Sequence, residues 1–231
     1  MATADQSWVT QRVQEAIQGG LHRAYEKLKV DADRYLAHLR RAHGLPLESF
    51  QQIYNIHPNV LDSIADQTIQ AGMKLAAAEG LGLGLGGMIT AIPDIGVLSA
   101  ITMRMIQKLS LIYGFEYSTD AEIAELWIAA ASAAGVNMGK DLLEKEVIER
   151  FVPRVIERIA IKAGAEVAEK WVTRIIPVVS AFAGCTLNYY FVRAWDRRAK
   201  RYFRERHMRI RRHEELSPLD PRAQLPPYSY N

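Results

Sequence analysis

The sequence contains few of the residues that form covalent cross-links or metal sites. It has one cysteine among 231 residues, Cys185, so an intramolecular disulfide and a cysteine-based zinc or iron–sulfur site are both excluded. The six histidines are scattered without a metal-binding spacing, and no serine elbow or close carboxylate pair indicates catalysis. These absences predict a non-enzymatic protein with no cofactor, and the alternative is an enzyme whose activity depends on Asp94 or Glu79.

We also expect no export signal, because Met1 is followed by Ala-Thr-Ala-Asp-Gln rather than by a basic segment and an apolar run. Hydrophobic residues make up 49% of the chain and charged residues 24%, which excludes wholesale disorder. The mean hydropathy of −0.10 argues against a multispanning membrane protein. We expect a cytoplasmic chain with one domain over residues 1–213 and a proline-rich flexible tail over residues 214–231.

Apolar residues recur at helical spacing, and no convincing alternating strand pattern separates the helical segments. From Ser7 to Arg41 the spacing predicts one amphipathic helix, with a bend or break at Gly19-Gly20 as the alternative. A glycine cap is predicted at Gly114. The fold class predicted is therefore all-α, a helical bundle with a glycine-rich, close-packed helical hairpin. Further helices are predicted after Pro58 and over residues 120–137, 140–151 and 153–170.

Residues 80–103 include one ionisable residue, Asp94, in 24 positions. Three glycines there match the spacing G-x-G-x-x-G, but a dinucleotide site needs a preceding strand and a later acid, and the sequence indicates neither. Small residues instead let helices approach closely, as they do in lipid. The glycines therefore predict a face for helix packing or membrane insertion, formed by Gly80, Gly82, Gly84, Gly86 and Gly87.

A chain reversal is predicted at Ile92-Pro93-Asp94, with residues 80–91 and 95–109 as the two arms of a hairpin. Asp94 and Arg104 are charged residues in apolar surroundings, and Glu79 lies at the foot of the first arm. Because a buried charge is costly unless it is paired, we expect an ion pair that closes the hairpin. The alternative is a polar site that binds a lipid headgroup or another ligand.

Residues 175–192 carry no charge and lead directly into the strongly basic stretch Arg193–Arg212. This stretch has ten basic and two acidic residues, a net charge of +8, so the other 211 residues sum to −5. Such a concentration indicates binding to anionic lipid or nucleic acid, and Asn188 is expected to bond to another helix. The residues predicted to contact anionic lipid are Arg193, Arg197, Arg198, Lys200, Arg201 and Arg204.

The segment LAAAEGLGLGLGGMITAIPDIGVLSAITMRMIQKLSLIYGFE, residues 75–116, resembles the central signature of the bacterial EcsC family. The early VQEAIQGGLHRAYEKLKVDADRYL and the late IPVVSAFAGCTLNYYFVRAWDRRAKRYF are also similar to family segments. The likeness covers most of residues 8–206. It implies a helical, membrane-associated bacterial protein, and it transfers no catalytic residue.

The leading hypothesis is a non-enzymatic protein on the cytoplasmic side of the inner membrane, peripheral or partly inserted, that binds anionic lipid through its basic helix. It could act beside a membrane transporter or in an envelope process, with a membrane protein or a second copy as partner. One alternative is a soluble module that holds a lipid or acyl chain. A second is nucleic-acid binding with Tyr202 and Phe203 between the arginines, which the acidic remainder disfavours.

Overall fold

The computed structural model describes residues 2–27, 29–83, 88–138, 148–173 and 181–216. Within these ranges it leaves undescribed the side chains of residues 2–6, 77–83, 88–94, 168, 170–173, 181–192 and 213–216. The described residues are helical and contain no strand, which confirms the predicted all-α fold. The helices are α1 (Ala2–Glu26), α2 (Ala32–His43), a 3₁₀ helix (Phe50–Asn55), α3 (Pro58–Leu83), α4 (Met88–Ile112), α5 (Asp120–Ala133), α6 (Ile148–Thr173) and α7 (Ala181–Leu216).

The single helix predicted from Ser7 to Arg41 is wrong, because two helices occupy this region. Helix α1 ends at Glu26, and α2 begins after Asp31, whose side chain accepts a hydrogen bond from the Arg34 backbone N–H at 2.9 Å. An aspartate at this N-cap position satisfies a backbone donor that the new helix leaves unpaired. The glycine pair at 19–20 does not break α1.

Helices α3 and α4 form an antiparallel hairpin, but its reversal is not where the sequence indicated. Tyr113 bonds to Asp62, and a Cβ atom at Gly72 would lie 2.7 Å from the sulfur of Met105, so residue numbers run in opposite directions along the pair. The turn predicted at residues 92–94 is wrong, because α4 continues through Pro93. A proline six residues into a helix removes one backbone hydrogen bond, and the rest of α4 retains its own.

Glycines in the left-handed region follow three of the described helices: Gly44 caps α2, and Gly114 and Gly135 follow α4 and α5. Gly114, with φ of 86°, follows α4, and the backbone N–H groups of Phe115 and Gly114 donate to the carbonyls of Ser110 and Leu111. This pair of bonds is a Schellman cap, so the glycine cap predicted at Gly114 is confirmed. Gly135 ends α5 in the same way, earlier than the predicted end at residue 137.

Helix α6 runs through Pro153, where the sequence predicted the boundary between two helices. Pro153 is the sixth residue of α6, so, as at Pro93 in α4, the proline removes one backbone hydrogen bond and the rest of the helix retains its own. Most of the predicted helix 140–151 lies outside the described residues.

The directions of the helices follow from their contacts. Helix α7 is antiparallel to α3, because Arg204 contacts Asp62 and Lys200 contacts Asp66. It is therefore parallel to α4, and it contacts α4 where His207 meets Tyr113. Helix α1 is parallel to α4, since Gly20 meets Gly96 and residue 30 meets residue 107. Helix α6 is antiparallel to α1, with Gly164 against Gln14 and Glu149 near Tyr25.

These directions bring the end of α3 and the beginnings of α4 and α7 to one end of the bundle, which we call the apolar end. The end of α6 and the beginning of α1 lie there too. The opposite end, where α4 finishes and the side chains of Asp62, Tyr113 and Arg204 meet, is called the paired end. The buried core between them is continuous and includes Ile17, Ile106, Trp127, Ile156 and Phe203.

Candidate functional site

Much of the basic stretch of α7 serves the fold. Lys200 Nζ lies 2.7 Å from Asp66 Oδ1 and donates to the Asp62 carbonyl at 3.2 Å. Arg204 Nε donates to both carboxylate oxygens of Asp62, at 3.0 and 2.8 Å. The Tyr113 hydroxyl donates to the same carboxylate at 2.7 Å. Two of the six predicted lipid contacts therefore fasten α7 to α3.

The electrostatics of this cluster follow from its contacts. Burial alone would raise the pKa of Asp62, but the hydrogen bonds from Tyr113 and Arg204 and the charges of Arg204 and Lys200 lower it below its ordinary value. Burial and the neighbouring carboxylate raise the pKa of Tyr113. Asp62 is therefore ionised at neutral pH, and its carboxylate interacts with Tyr113 and Arg204 of the same chain.

Three further cations of α7 also contact the protein. Arg198 Nη1 donates to the Ala133 carbonyl at 3.0 Å, so it satisfies an acceptor at the end of α5. Arg206 is buried, pairs with Glu125, and places its guanidinium 4.6 Å from the centre of the Phe115 ring. Arg211 donates to the Ile56 carbonyl at 3.4 Å.

The predicted lipid contacts that face solvent are consequently fewer than the sequence suggests. Arg197 and Arg201 are exposed one turn apart on the outer face of α7, while Arg193 is half-buried and has a contact of its own. Tyr202 is half-buried, and Phe203 is 1% exposed and packs on Phe115, so Phe203 is not available to stack on a nucleic-acid base.

Both uncharged segments of the sequence reach the apolar end. Residues 80–83 lie at the end of α3 and residues 88–93 at the beginning of α4, and residues 181–192 are the first twelve of α7; none of these ranges contains an acid or a base. Among the described side chains, most of the exposed large hydrophobic ones are also in this half of the bundle: Trp8, Leu75, Val97 and Ile161, with Val60 at the other end.

The other predicted residues divide by what the structure describes. Gly80 and Gly82 belong to the last turn of α3, whereas Gly84, Gly86 and Gly87 lie outside the described residues. Glu79, Pro93, Asp94 and Asn188 are helical, but their side chains are not described. Arg104 is exposed. Asp94 and Arg104 lie ten residues apart on α4, about 15 Å along the axis, so the expected ion pair across a turn is wrong.

Within the described residues, one stretch is long and apolar enough to cross a membrane, Ile95–Ile112 in α4. Because 78% of it is buried inside the protein, it serves as a core helix of the bundle. No group of His, Cys, Asp or Glu side chains that could hold a metal ion occurs in the described part of the chain. A groove of about 790 Å³ beside the end of α2, between Arg40, Arg41 and Glu48, is open rather than enclosed.

One buried carboxyl group was not predicted from the sequence. Asp196 is 0% exposed, and among the described residues neither of its side-chain oxygens has a hydrogen-bond partner. Burial raises its pKa well above the ordinary value. The contact between Tyr113 and His207 sets the register of α4 and α7, and this register puts Thr102 level with Asp196. The Thr102 hydroxyl is also buried and has no hydrogen-bond partner among the described residues. The helical spacing could have indicated that Asp196 is buried, since residues 199 and 203 lie on the same face of the helix and are apolar.

The fold and surface described above define a class: an all-α bundle in which two uncharged helical segments lie at one end, and whose basic final helix uses many of its cations in contacts within the protein. The model of the EcsC protein family matches residues 4–208. The chain therefore belongs to the EcsC family.

Protein EcsC of Bacillus subtilis (strain 168) is a relative with 44% identity over 55 residues. That stretch is 24% of this chain and 23% of the relative, so the chain matches less than a quarter of the relative's length. No solved structure matches the chain.

Proposed function

We propose that this protein is a non-enzymatic, membrane-associated protein of the cytoplasmic face of the inner membrane. In this proposal the apolar end contacts the bilayer and the exposed cations of α7 bind anionic lipid headgroups. A role beside a membrane transporter or in an envelope process, through a membrane-protein partner or a second copy, belongs to the same proposal.

The observation that carries the proposal is the convergence of the two uncharged segments. They are separated by almost a hundred residues in the sequence, yet the helix directions bring residues 80–83 and 88–93 to the same end of the bundle as residues 181–192. Leu75 and Val97, whose apolar side chains are exposed, lie in the same half of the bundle. Solvent-exposed apolar surface of this kind is a feature of membrane and protein contact sites.

The positions of the exposed cations support the same orientation. Arg197 lies sixteen residues after Ala181, which is about 24 Å along a helix, and the hydrocarbon core of a bilayer is about 30 Å thick. Basic residues beyond an uncharged segment favour the cytoplasmic headgroup layer. Arg197 and Arg201 are thus suited to anionic headgroups when the beginning of α7 is in contact with lipid.

Charged pairs restrict the contact to one side. Helix α1 carries the exposed pair Arg12–Glu15, and α6 carries the exposed pair Lys162–Glu166, both in the half of the bundle nearest the apolar end. Because ionised side chains are expensive in hydrocarbon, the surface formed by α3, α4 and α7 faces the lipid, and the α1–α6 side remains in water.

Flotation with vesicles tests the proposal. The purified chain is mixed with phosphatidylcholine vesicles, with or without phosphatidylglycerol, at low salt, at about 1 M salt where the Debye length falls to about 3 Å, and after an alkaline carbonate wash. We expect binding that requires anionic lipid and is reduced by salt. Failure to float under every condition would overturn the proposal.

Matched variants assign the contact. Arg197→Glu/Arg201→Glu should weaken binding at least about tenfold, because each basic residue near an anionic surface contributes about 1 kcal/mol. Arg209→Glu/Arg212→Glu makes the same charge change toward the paired end and should bind nearly as the parent does. Leu75→Glu/Val97→Glu should reduce binding that survives high salt, and Val60→Glu is its control. Equal loss in both arginine variants would show that only net charge matters.

A further inference from the structure

A second group of cations lies on the other side of α4, where the linker between α1 and α2 crosses that helix. Lys29 comes from the linker, and Arg104 and Lys108 are one turn apart on α4. Residues four apart on a helix share a face. Lys29 and Arg104 lie beside Tyr117, since the Lys29 ammonium is 5.3 Å from the centre of its ring and the Arg104 charge acts on it. The Arg104 charge also acts on Lys108.

The linker is held in place by two hydrogen bonds. The Val30 backbone N–H donates to Gln107 Oε1 at 2.9 Å, and the Tyr117 hydroxyl donates to the Val30 carbonyl at 2.8 Å. Both bonds are buried, and Gln107 is 2% exposed. Lys29, the residue before Val30, is therefore fixed beside α4, so the three cations keep their arrangement without a ligand.

In the part of the chain that the structure describes, the three cations are not paired with an acid. Among the described residues, no acidic side chain forms an ion pair or hydrogen bond with Lys29, Arg104 or Lys108. The acid that acts on Tyr117 is Asp31, and it is occupied: it accepts from the Arg34 backbone N–H at 2.9 Å and lies 3.6 Å from Arg34 Nε.

Lys108 is the cation of this group that most favours a bound anion. It is half-buried, and burial and the charge of Arg104 both lower its pKa. A partly desolvated lysine beside an arginine, with no carboxylate in contact, is unfavourable for the protein alone and becomes favourable when an anion is bound. The paired cations of α7 show the opposite arrangement, since Lys200 and Arg204 have Asp66 and Asp62.

We propose that Lys29, Arg104 and Lys108 form a binding site for a phosphate group. An arginine beside two lysines suits a phosphate monoester, whose oxygens accept several charge-assisted hydrogen bonds. The phosphate belongs either to a soluble molecule or to a lipid headgroup. The lipid case rests on the proposed function, and the register of α4 on α7 supports it by putting Arg104 at the level of Arg197 and Arg201.

The first experiment uses inorganic phosphate. The full chain is titrated at constant ionic strength held with sodium chloride, and binding is followed by calorimetry and by backbone amide shifts. We expect a saturable response centred on residues 29–30, 104 and 108. Arg104→Gln/Lys108→Gln should weaken it at least about tenfold, since a hydrogen bond to a charged group contributes about 1.5 kcal/mol or more. The matched control, Arg197→Gln/Arg201→Gln, should leave it unchanged.

The second experiment separates the two sources of phosphate. Phosphatidylcholine vesicles containing phosphatidic acid, a phosphate monoester, are compared with vesicles of equal charge containing phosphatidylglycerol, a diester. A preference for phosphatidic acid that Arg104→Gln/Lys108→Gln abolishes supports a lipid headgroup at the site. A response to inorganic phosphate without that preference supports a soluble phosphate compound.

The outcomes distinguish this site from the proposed function. No saturable response to phosphate and no preference for phosphatidic acid would overturn the site, even if the chain floats with phosphatidylglycerol. Phosphate binding by a chain that floats with no vesicle would retain the site and overturn the membrane function. If circular dichroism shows that the double variant does not fold, Lys29→Gln replaces it. Lys29 is exposed, so this substitution should weaken phosphate binding by about tenfold without affecting the core.

Discussion

The two ends of the bundle are held together by different interactions. At the paired end, helices meet through hydrogen bonds and ion pairs, with Asp62 accepting from Tyr113 and Arg204. Toward the apolar end, glycines let the helices pack closely. A Cβ atom at Gly20 would overlap with the carbonyl oxygen of Gly96, and a Cβ atom at Gly164 would overlap with the side chain of Gln14.

The difference indicates how each end tolerates its surroundings. Charged side chains need either water or a well-placed partner of opposite charge, and moving them into hydrocarbon costs free energy. Glycine contacts rely on close packing of backbones, which works in water and in lipid alike. A bundle that changes from one kind of contact to the other along its length is suited to standing across a boundary between water and lipid.

The largest expected effect is at the glycine contact. Gly20→Ala should destabilise the fold by about 3 kcal/mol, because the added methyl group forces α1 away from α4 in a packed core. Gly19→Ala is the matched control: nothing lies within 4 Å of its added Cβ, and a helical alanine should stabilise by up to about 1 kcal/mol. Chemical denaturation of both variants measures the difference. Equal stabilities would show that the helices do not cross at Gly20.

At the paired end, Asp62→Asn should destabilise by about 2 kcal/mol, because Arg204 loses its charged acceptor. Asp66→Asn removes an exposed partner of Lys200 and should cost less than about 1 kcal/mol. The folded-state pKa of Asp62 is lowered, so its contribution is present above the unfolded pKa and is lost as pH falls through the folded value. Asp62→Asn should therefore flatten the acid side of the stability curve, and an unchanged curve would contradict the assignment.

Sequence periodicity identified the helical fold, the uncharged segments and the cap at Gly114, because each of these depends on neighbouring residues. It failed where the outcome depends on residues distant in the sequence. The sequence left a bend or break at Gly19-Gly20 open as an alternative, yet α1 continues through both residues and Gly20 packs against Gly96 of α4. The turn predicted at Pro93 failed because proline near a helix start removes only one hydrogen bond.

Charge counting misled in the same way. The net charge of +8 over Arg193–Arg212 is correct, but composition does not reveal that Lys200 and Arg204 meet acids of α3 or that Arg198 caps α5. Those acids lie more than 130 residues away in the sequence. Among the predicted lipid contacts, Arg197 and Arg201 are exposed and take part in none of the contacts named above, and they could be distinguished from the others only once the helices were packed.

Between the two ends lies Asp196, and its pH dependence runs opposite to that of Asp62. Its folded-state pKa is raised, so the folded protein holds a proton that the unfolded chain releases, and stability falls as pH rises from about 4 toward the folded value. Asp196→Asn should stabilise the protein at pH 7 by at least about 1 kcal/mol, with a smaller gain near pH 4. Asp33→Asn, on the exposed first turn of α2, is the control.

Thermal unfolding across this pH range measures the effect of Asp196→Asn. A loss of stability at pH 7 would mean that the carboxylate is ionised and has a partner in the folded protein. A gain that does not depend on pH would attribute the effect to packing rather than to the proton.

The smallest stability effect is expected on the outer face of α7, which belongs to neither set of contacts. Arg197→Gln/Arg201→Gln should change the free energy of unfolding by no more than about 0.5 kcal/mol, because exposed side chains without buried partners contribute little. Arg198→Gln, one residue away, should cost about 1 kcal/mol, since it leaves the Ala133 carbonyl without its side-chain donor. Denaturation of both variants measures the contrast. A stable double variant that no longer floats with anionic vesicles would separate binding from folding, whereas a destabilised one would place these arginines among the structural contacts of the paired end.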